Sequence, residues 1–469
     1  NDNPYLQKCR DDRIFDEKIQ MIEYDDYKYI KKGKGDTISK IKTGEIIKCY
    51  FLKGHRDENG EILDSGLGII PNVLQKVLKA RKDTRKLIKI EPDEFKRKVL
   101  DGLQLAYKVT ANSVYGQLGA RTTSIFMKII AACTTSVGRQ RIDDADKGVK
   151  DWAKSVGHEA PEIVYGDTDS VFVNFRPKGP DGKILKGEAA LKASIELSVK
   201  AEKVLSAALK NPHCLEYEKT FMPFILLSKK RYIGNKYEFD PTKFKRTNMG
   251  VVTKRRDNAP IVKVAYNTMN NVLMSEKSVP KTVISIQEIL SDLIEGKYGL
   301  EYLTITKSLK AHYADPTRIA HKVLADRIGE RDPGNKPKPN DRLGFVYIHK
   351  EEKSNVKLLQ GDKIETPEFI KENKLQPDYK FYITNQIMKP ILQVLAIVVD
   401  KIPGYNKPKN YFKQLECNLR MSGKSQELIE KNIQTQKEKI VQELVFQKYI
   451  NRAQQKVGPL NRFFTRKKQ

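Results

Sequence analysis

Apolar and polar positions change period several times along this chain. Residues 1–70 mix short strand-like runs, such as Ile46-Ile47-Lys48-Cys49-Tyr50-Phe51-Leu52, with polar turns at 33–36 and 57–60. Val73, Leu74, Val77 and Leu78 then form one apolar stripe at helical spacing. With Pro71 near its start, this predicts a helix over about 71–86. A second helix is expected over about 94–115, after the acidic opening Glu91-Pro92-Asp93-Glu94, because carboxylates suit the positive end of a helix. Two helices with so short a link lie antiparallel. Residues 162–175, EIVYGDTDSVFVNF, predict two strands around a polar tip. A helix follows over about 189–210, strands lie within 215–239 and 244–256, and the chain turns mostly helical after 259. A proline-rich loop at 333–339 and a Gln/Lys-rich helical end with a basic tail complete the pattern.

The length of 469 residues allows two to four domains, and 39% hydrophobic residues suffice for packed cores. Lysine and arginine number 87 against 59 acidic residues, and 87 − 59 gives +28. That excess suits a polyanion, most simply nucleic acid, or else a solvated lysine-rich surface. The longest uncharged apolar run, 391–399, is interrupted by Gln393. It falls short of the ~18 residues of a membrane helix, so no membrane partner is expected. Cys9, Cys49, Cys133, Cys214 and Cys417 are scattered without a CxxC pair. Neither a zinc site nor a disulfide framework is expected, and a reducing, intracellular compartment fits. The chain starts at Asn1 rather than Met, as a processed chain or a piece of something longer would.

Four constellations carry candidate chemistry. In Tyr165-Gly166-Asp167-Thr168-Asp169-Ser170, two carboxylates stand two residues apart between apolar runs. On a strand they would face one side, as a pair of hard oxygen donors for Mg²⁺; alternatively they satisfy backbone groups in a hairpin turn. On a helix, Lys108, Asn112 and Tyr115 share one face, suited to a phosphate and a flat base, and Gly116 leaves room for another chain. Arg81 and Arg85 lie one turn apart on the preceding helix and could join Lys108 in a triphosphate clamp, or form a solvated charged face. Lys229-Lys230-Arg231-Tyr232 and Lys254-Arg255-Arg256 are dense basic clusters. Residues 221–260 hold ten Lys/Arg and three Asp/Glu, or +7, which suits phosphodiester tracking.

In this order the segments resemble a family B DNA polymerase, similar to polymerase delta and to the enzymes of large nucleocytoplasmic DNA viruses. YGDTDSVFV resembles palm motif C, KVTANSVYGQLGA fingers motif B, and GIIPNVLQKVLKARKDTRK the helix before it. LEYEKTFMPFILLSKKRYIG resembles the KKRY region, MGVVTKRRDNAP the palm–thumb junction, and residues 320–348 the thumb signature. The resemblance implies an α+β right hand: an antiparallel palm sheet from 1–66 and 119–257, a helical-hairpin fingers domain at 67–118, and a mostly helical thumb with a tail at 258–469. It implies template-directed transfer of deoxynucleoside triphosphates to a primer 3′-OH with two Mg²⁺ ions. Asp169 would be the principal metal ligand, Asp167 a weaker one and Glu218 a third. Arg81, Arg85, Lys108, Asn112, Tyr115 and Gly116 would serve the nucleotide. Lys229, Lys230, Arg231, Tyr232, Lys254, Arg255 and Arg256 would hold primer–template DNA. A host nucleus or viral factory would be the location.

Several departures modify that picture. The motif A Asp beside a Ser-Leu-Tyr-Pro run is absent from the sequence, as is an exonuclease segment. A missing N-terminal polymerase segment is therefore an expected partner. The alternative is a non-catalytic DNA-binding subunit or half of a split polymerase. Leu103 stands where the family usually has Arg, and Asn340 where it has Gly, a mild change because Asn tolerates the left-handed region. In the tail, Leu460, Phe463 and Phe464 resemble a sliding-clamp-binding peptide, with Val457 in place of its usual Gln.

Overall fold

In the computed structural model of the chain, the described residues are 19–31, 38–52, 68–209, 213–254, 256–350 and 358–456. The chain divides into two compact units, Asn1–Arg176 with Lys200–Leu215, and Pro177–Val199 with Glu216–Gln469.

The first unit opens with a long antiparallel hairpin of β1 (Ile19–Lys31) and β2 (Ile38–Leu52), with a bulge between Asp25 and Tyr27. Period two places Ile22 and Tyr24 on one face together with Ile47, Cys49 and Phe51. That face is covered by Cys133 and Ala132 of a helix. On the other face Glu23 and Lys48, directly opposite in register, pair at 3.5 Å in solvent. The two expected helices form an antiparallel hairpin of α1 (Ile69–Ile90) and α2 (Glu94–Gly119). Asp93 caps α2, accepting from the Phe95 and Lys96 amides at 2.8 and 3.1 Å. Only Thr84 and Leu118 of these two helices are fully buried.

The covering helix, α3 (Lys128–Ser155), is an element that the sequence pattern did not reveal. Its first half contains Thr134, Thr135, Ser136 and Gly138, all poor helix formers. Tertiary packing overrides that weakness: Cys133, Ser136, Val149, Trp152 and Ala153 are buried. Thr134 and Thr135 turn their hydroxyls back to the Ile130 and Ala132 carbonyls, and Ser136 donates to the Glu23 carbonyl of β1 at 2.9 Å. Behind α3 lies the two-stranded sheet of β3 (Glu162–Asp167) and β4 (Ser170–Asn174). Part of α4 (Gly187–Ala208) packs against α3 at Gly148, where a Cβ would stand 2.5 Å from the Leu205 Cδ2. Gly148 therefore permits a close helix approach that Ala would obstruct.

The second unit begins its sheet with β5 (Thr220–Ser228), β6 (Arg231–Tyr237) and β7 (Phe244–Met249), all antiparallel. Arg246 ties the sheet to α5 (Pro260–Ser275), donating to Asn235 at 3.0 Å and to Asn271 at 2.6 Å. Beside α5 lies α6 (Val279–Glu295), capped by Ser278 and ended by Gly296 at φ 81°. The expectation of helix after 259 holds in the main. A second three-stranded sheet interrupts it, ordered with β9 (Arg342–Tyr347) between β8 (Ile305–Ser308) and β10 (Ile364–Glu365). Asn340 adopts φ 75° before β9, the conformation that its substitution for Gly requires.

The helical stretch Tyr379–Lys401, which includes the apolar run 391–399, is by length and composition apolar enough to cross a membrane. Its apolar side chains have another use: Tyr382, Ile383, Ile387, Ile391 and Leu395 are in the core of the unit. Tyr382 is fully buried, donates to the Leu303 carbonyl at 2.7 Å and accepts from the Tyr347 amide at 3.0 Å. Burial raises its phenol well above the usual value.

A charged cluster sits nearby. Glu365 is buried and pairs with Arg327 at 3.1 Å and with Arg331 at 2.9 Å, both guanidiniums coming from α7 (Ala320–Arg331). Arg331 also lies 3.8 Å over the Phe369 ring. Glu365→Ala leaves two cations without their buried counter-ion. It is expected to lower stability by about 3 kcal/mol, the lower part of the range for breaking a buried pair, since both arginines keep some solvent. Urea unfolding of the variant, followed by circular dichroism, measures this; an unchanged midpoint contradicts it.

Candidate active site

The two carboxylates meet at the tip of the β3–β4 hairpin. Asp167 ends β3 and pairs in register with Ser170, leaving Thr168 and Asp169 as the turn. The expectation that Asp167 and Asp169 share a face of one strand is therefore corrected: Asp169 belongs to the turn, and strand alternation does not govern it. Thr168 adopts φ 56°, unusual for a β-branched residue, and its backbone folds so that the Asp169 amide donates to the Asp167 carbonyl at 2.6 Å. The Thr168 hydroxyl donates to Asp167 Oδ1 at 3.0 Å, and the Ser170 hydroxyl to the Asp167 carbonyl at 3.2 Å. Strained backbone at a displayed carboxylate is a common feature of sites that must hold one geometry. Two oxygen donors on such a turn fit Mg²⁺, which keeps waters and takes one or two carboxylates plus substrate phosphates. Among the described residues no group of three His, Cys, Asp or Glu could hold a metal ion.

A cavity of about 640 Å³ adjoins the turn, with Thr168, Asp169 and Ser170 in its wall. Ile130, Val137 and Ile142 of α3 form much of its apolar side. Arg141 also lines it, paired with Asp144 at 3.1 Å, and its Nε is buried without a hydrogen bond. Sequence reasoning missed these two residues because α3 itself was not recognised.

On the helical hairpin, Lys108, Asn112 and Tyr115 are all exposed on α2, as the helical spacing requires. The Arg81 Nε donates to Gln104 Oε1 at 3.3 Å, which sets the register of α1 against α2. Lys108 lies one turn beyond Gln104, and Arg85 one turn from Arg81 in the opposite direction. The three cations thus form a row of about 12 Å along the hairpin axis, at 1.5 Å per residue. A Cβ at Gly116 would meet nothing within 4 Å among the described residues.

In the second unit, Lys229 and Lys230 form the exposed turn between β5 and β6, with Lys230 at φ 62°. They are turn-borne rather than strand-borne. Gly250, at φ 60°, packs beneath them: a Cβ there would lie 2.2 Å from the Lys230 carbonyl. Arg231 donates to Gln393 at 2.7 Å. Tyr232 is buried, its ring 5.7 Å from Phe221 and 5.5 Å from Phe224, so its ring is a packing element and not a surface beside phosphates. Glu218 pairs with Lys219 at 3.0 Å and belongs to this unit, whereas Asp167 and Asp169 belong to the other. Lys254 lies in a short 3₁₀ turn, and the Arg256 carbonyl accepts from the Thr306 hydroxyl at 3.3 Å. Arg255 and the tail residues Leu460, Phe463 and Phe464 lie outside the described residues.

Comparison with known proteins gives consistent relatives. The chain is 40% identical to a DNA polymerase of Pyramimonas orientalis virus, over 93% of this chain and 38% of the relative. It is 35% identical to the DNA polymerase delta catalytic subunit of Schizosaccharomyces pombe, over 75% of this chain and 30% of that subunit. The match thus spans only 38% and 30% of the length of these two relatives. The solved family B DNA polymerase of the archaeon Pyrobaculum calidifontis aligns with 84% of this chain and 47% of its own, at 20% identity and a TM-score of 0.49. Residues 48–398 match the model of DNA polymerase family B, and the chain belongs to that family.

Proposed function

We infer that this chain supplies the motif C turn, the nucleotide-binding helices and the basic DNA-holding elements of a DNA-directed DNA polymerase. The observation that carries the reading is the Asp167-Thr168-Asp169 turn, strained and displayed at a hairpin tip, in a chain of this family. The helical hairpin serves as the fingers, the β3–β4 and β5–β7 sheets as palm, and the helical part after 258 as thumb. The reaction is attack of a primer 3′-OH on the α-phosphorus of a deoxynucleoside triphosphate, with pyrophosphate leaving. Two Mg²⁺ ions, when bound, stabilise the attacking and leaving oxygens. Asp169, exposed on the turn, and Asp167 at the end of β3 would hold them. The Lys108–Arg81–Arg85 row carries the triphosphate, Asn112 and Tyr115 support the nucleotide and template base, and Gly116 leaves room for the pair. Lys229, Lys230, Arg231 and Arg256 neutralise primer phosphates, with the Lys229–Lys230 turn held over Gly250. The work of these residues takes place where viral or host DNA is replicated, and a sliding clamp bound through Leu460, Phe463 and Phe464 is a further partner.

A second reading is favoured by one observation: two carboxylates on a turn, with no third metal-ligating group beside them among the described residues, make an incomplete metal site. On that reading the chain is a DNA-binding subunit or one half of a split polymerase, and the other carboxylate comes from another segment. The two readings separate in a primer-extension assay. Alone, the chain is expected to bind primer–template DNA without extending it, with a log–log salt slope of about −0.9 per phosphate contact. Unaided extension would discard the second reading, while salt-insensitive binding would discard the DNA interface.

In an assembled enzyme, Asp169→Asn is expected to lower the extension rate by orders of magnitude while DNA affinity stays unchanged, with Asp167→Asn milder. Rapid-quench kinetics check the order; a reversed order reassigns the principal ligand.

Lys108→Ala and Arg81→Ala are each expected to weaken nucleotide binding by about ten- to a hundredfold, the worth of a charged hydrogen bond, with little effect on DNA binding. Both act on one ligand, so the double variant is expected to be non-additive. Nucleotide titration of pre-steady-state rates measures this, and an unchanged apparent Kd in both single variants would refute the clamp.

A further inference from the structure

Two thiols that lie 84 positions apart in sequence meet in the first unit. Cys49 of β2 and Cys133 of α3 are both buried, at 6% and 2% exposure, and pack together in one buried cluster. Tyr24 completes the cluster, and burial, with both thiols nearby, raises its phenol. The contact sits where α3 lies across the hairpin, one turn before the Ser136 hydroxyl that donates to the Glu23 carbonyl. Cys133 also lines the cavity whose wall includes Thr168 and Asp169.

We propose that Cys49 and Cys133 form a reversible disulfide site, oxidised by a low-molecular-weight disulfide, that fastens the β1–β2 hairpin to α3. One cysteine sulfur attacks the reagent, R–S–S–R, releasing one RSH and leaving a mixed disulfide. The second cysteine sulfur attacks that bond and releases the other RSH. The two cysteine protons leave with the two thiols, and the protein pair loses two electrons to the reagent. Closure brings the two sulfurs to about 2.0 Å. Burial first, and the neighbouring Cys49 second, push the Cys133 thiol up to about 12. Once closed, the disulfide fixes the α3 wall of the cavity beside the carboxylate turn.

The test uses the full chain with Cys9, Cys214 and Cys417 replaced by Ser, incubated folded with 2-hydroxyethyl disulfide. Alkylation under denaturing conditions and tryptic mapping follow. Titratable thiols are expected to fall from two to none, with a linked peptide joining residues 49–53 to 129–139, and dithiothreitol is expected to restore both. Adding Cys49→Ser is expected to abolish the linked peptide. The same mapping on the unsubstituted chain guards against misfolding of the variant: there too the 49–53/129–139 peptide is expected. The proposal is overturned if both thiols remain free in the folded chain while the urea-unfolded chain links them, or if the unsubstituted chain links Cys214 or Cys417 instead.

Discussion

One helix, buried on several sides, holds the first unit together. Residues 128–155 contain too many hydroxyl residues and glycines to be a stable helix alone, so packing must supply what propensity does not. Cys133 and Ser136 bind it to the β1–β2 hairpin. A Cβ on Gly166 of β3 would stand 3.5 Å from Ile142 of the same helix. Gly148 lets Leu205 approach from a third direction. The helix therefore backs the sheet whose tip carries Asp167 and Asp169, and it walls the cavity beside them. A change in its burial would reach the carboxylates without touching them.

The charged groups divide into two kinds. Arg85 and Lys108 of the helical hairpin and Lys229 and Lys230 of the β5–β6 turn are exposed, on supports fixed by Arg81–Gln104 and by Gly250. Exposed cations cost little to hold and suit a polyanion that brings its own charge. The acidic pair is fewer in number and held with strain, at Thr168. The net charge of +28 is the balance of the whole sequence, against which Asp167 and Asp169 are a local acidic pair.

The second unit solves a different problem. Its core is large and apolar, and its few buried polar groups are tied into bonds: Tyr382 bridges Leu303 to Tyr347, and Glu365 gathers Arg327 and Arg331. Such contacts join segments far apart in sequence and favour one arrangement over others that would bury the same apolar area. Asn270 is an exception, buried with neither side-chain atom bonded; nothing in the structure explains it.

Local pattern alone determined the elements whose signals are short in range. The antiparallel helix pair, the strands around the DTD tip and the shared face of Lys108, Asn112 and Tyr115 were legible, because spacing and cap chemistry act within a few residues. Family membership was legible for a related reason: motif order survives where propensity is ambiguous. Tertiary structure decided the rest. It made a helix of 128–155 by burying it, and it moved Asp169 from a strand face into a strained turn. It turned Tyr232 inward among aromatic rings and drew the apolar stretch 379–401 into a core. It also brought Cys49 to Cys133, a contact invisible in the scattered cysteines because a strand and a helix must first cross. Each of these depends on what a segment packs against, and that partner is set by the fold and not by neighbouring residues.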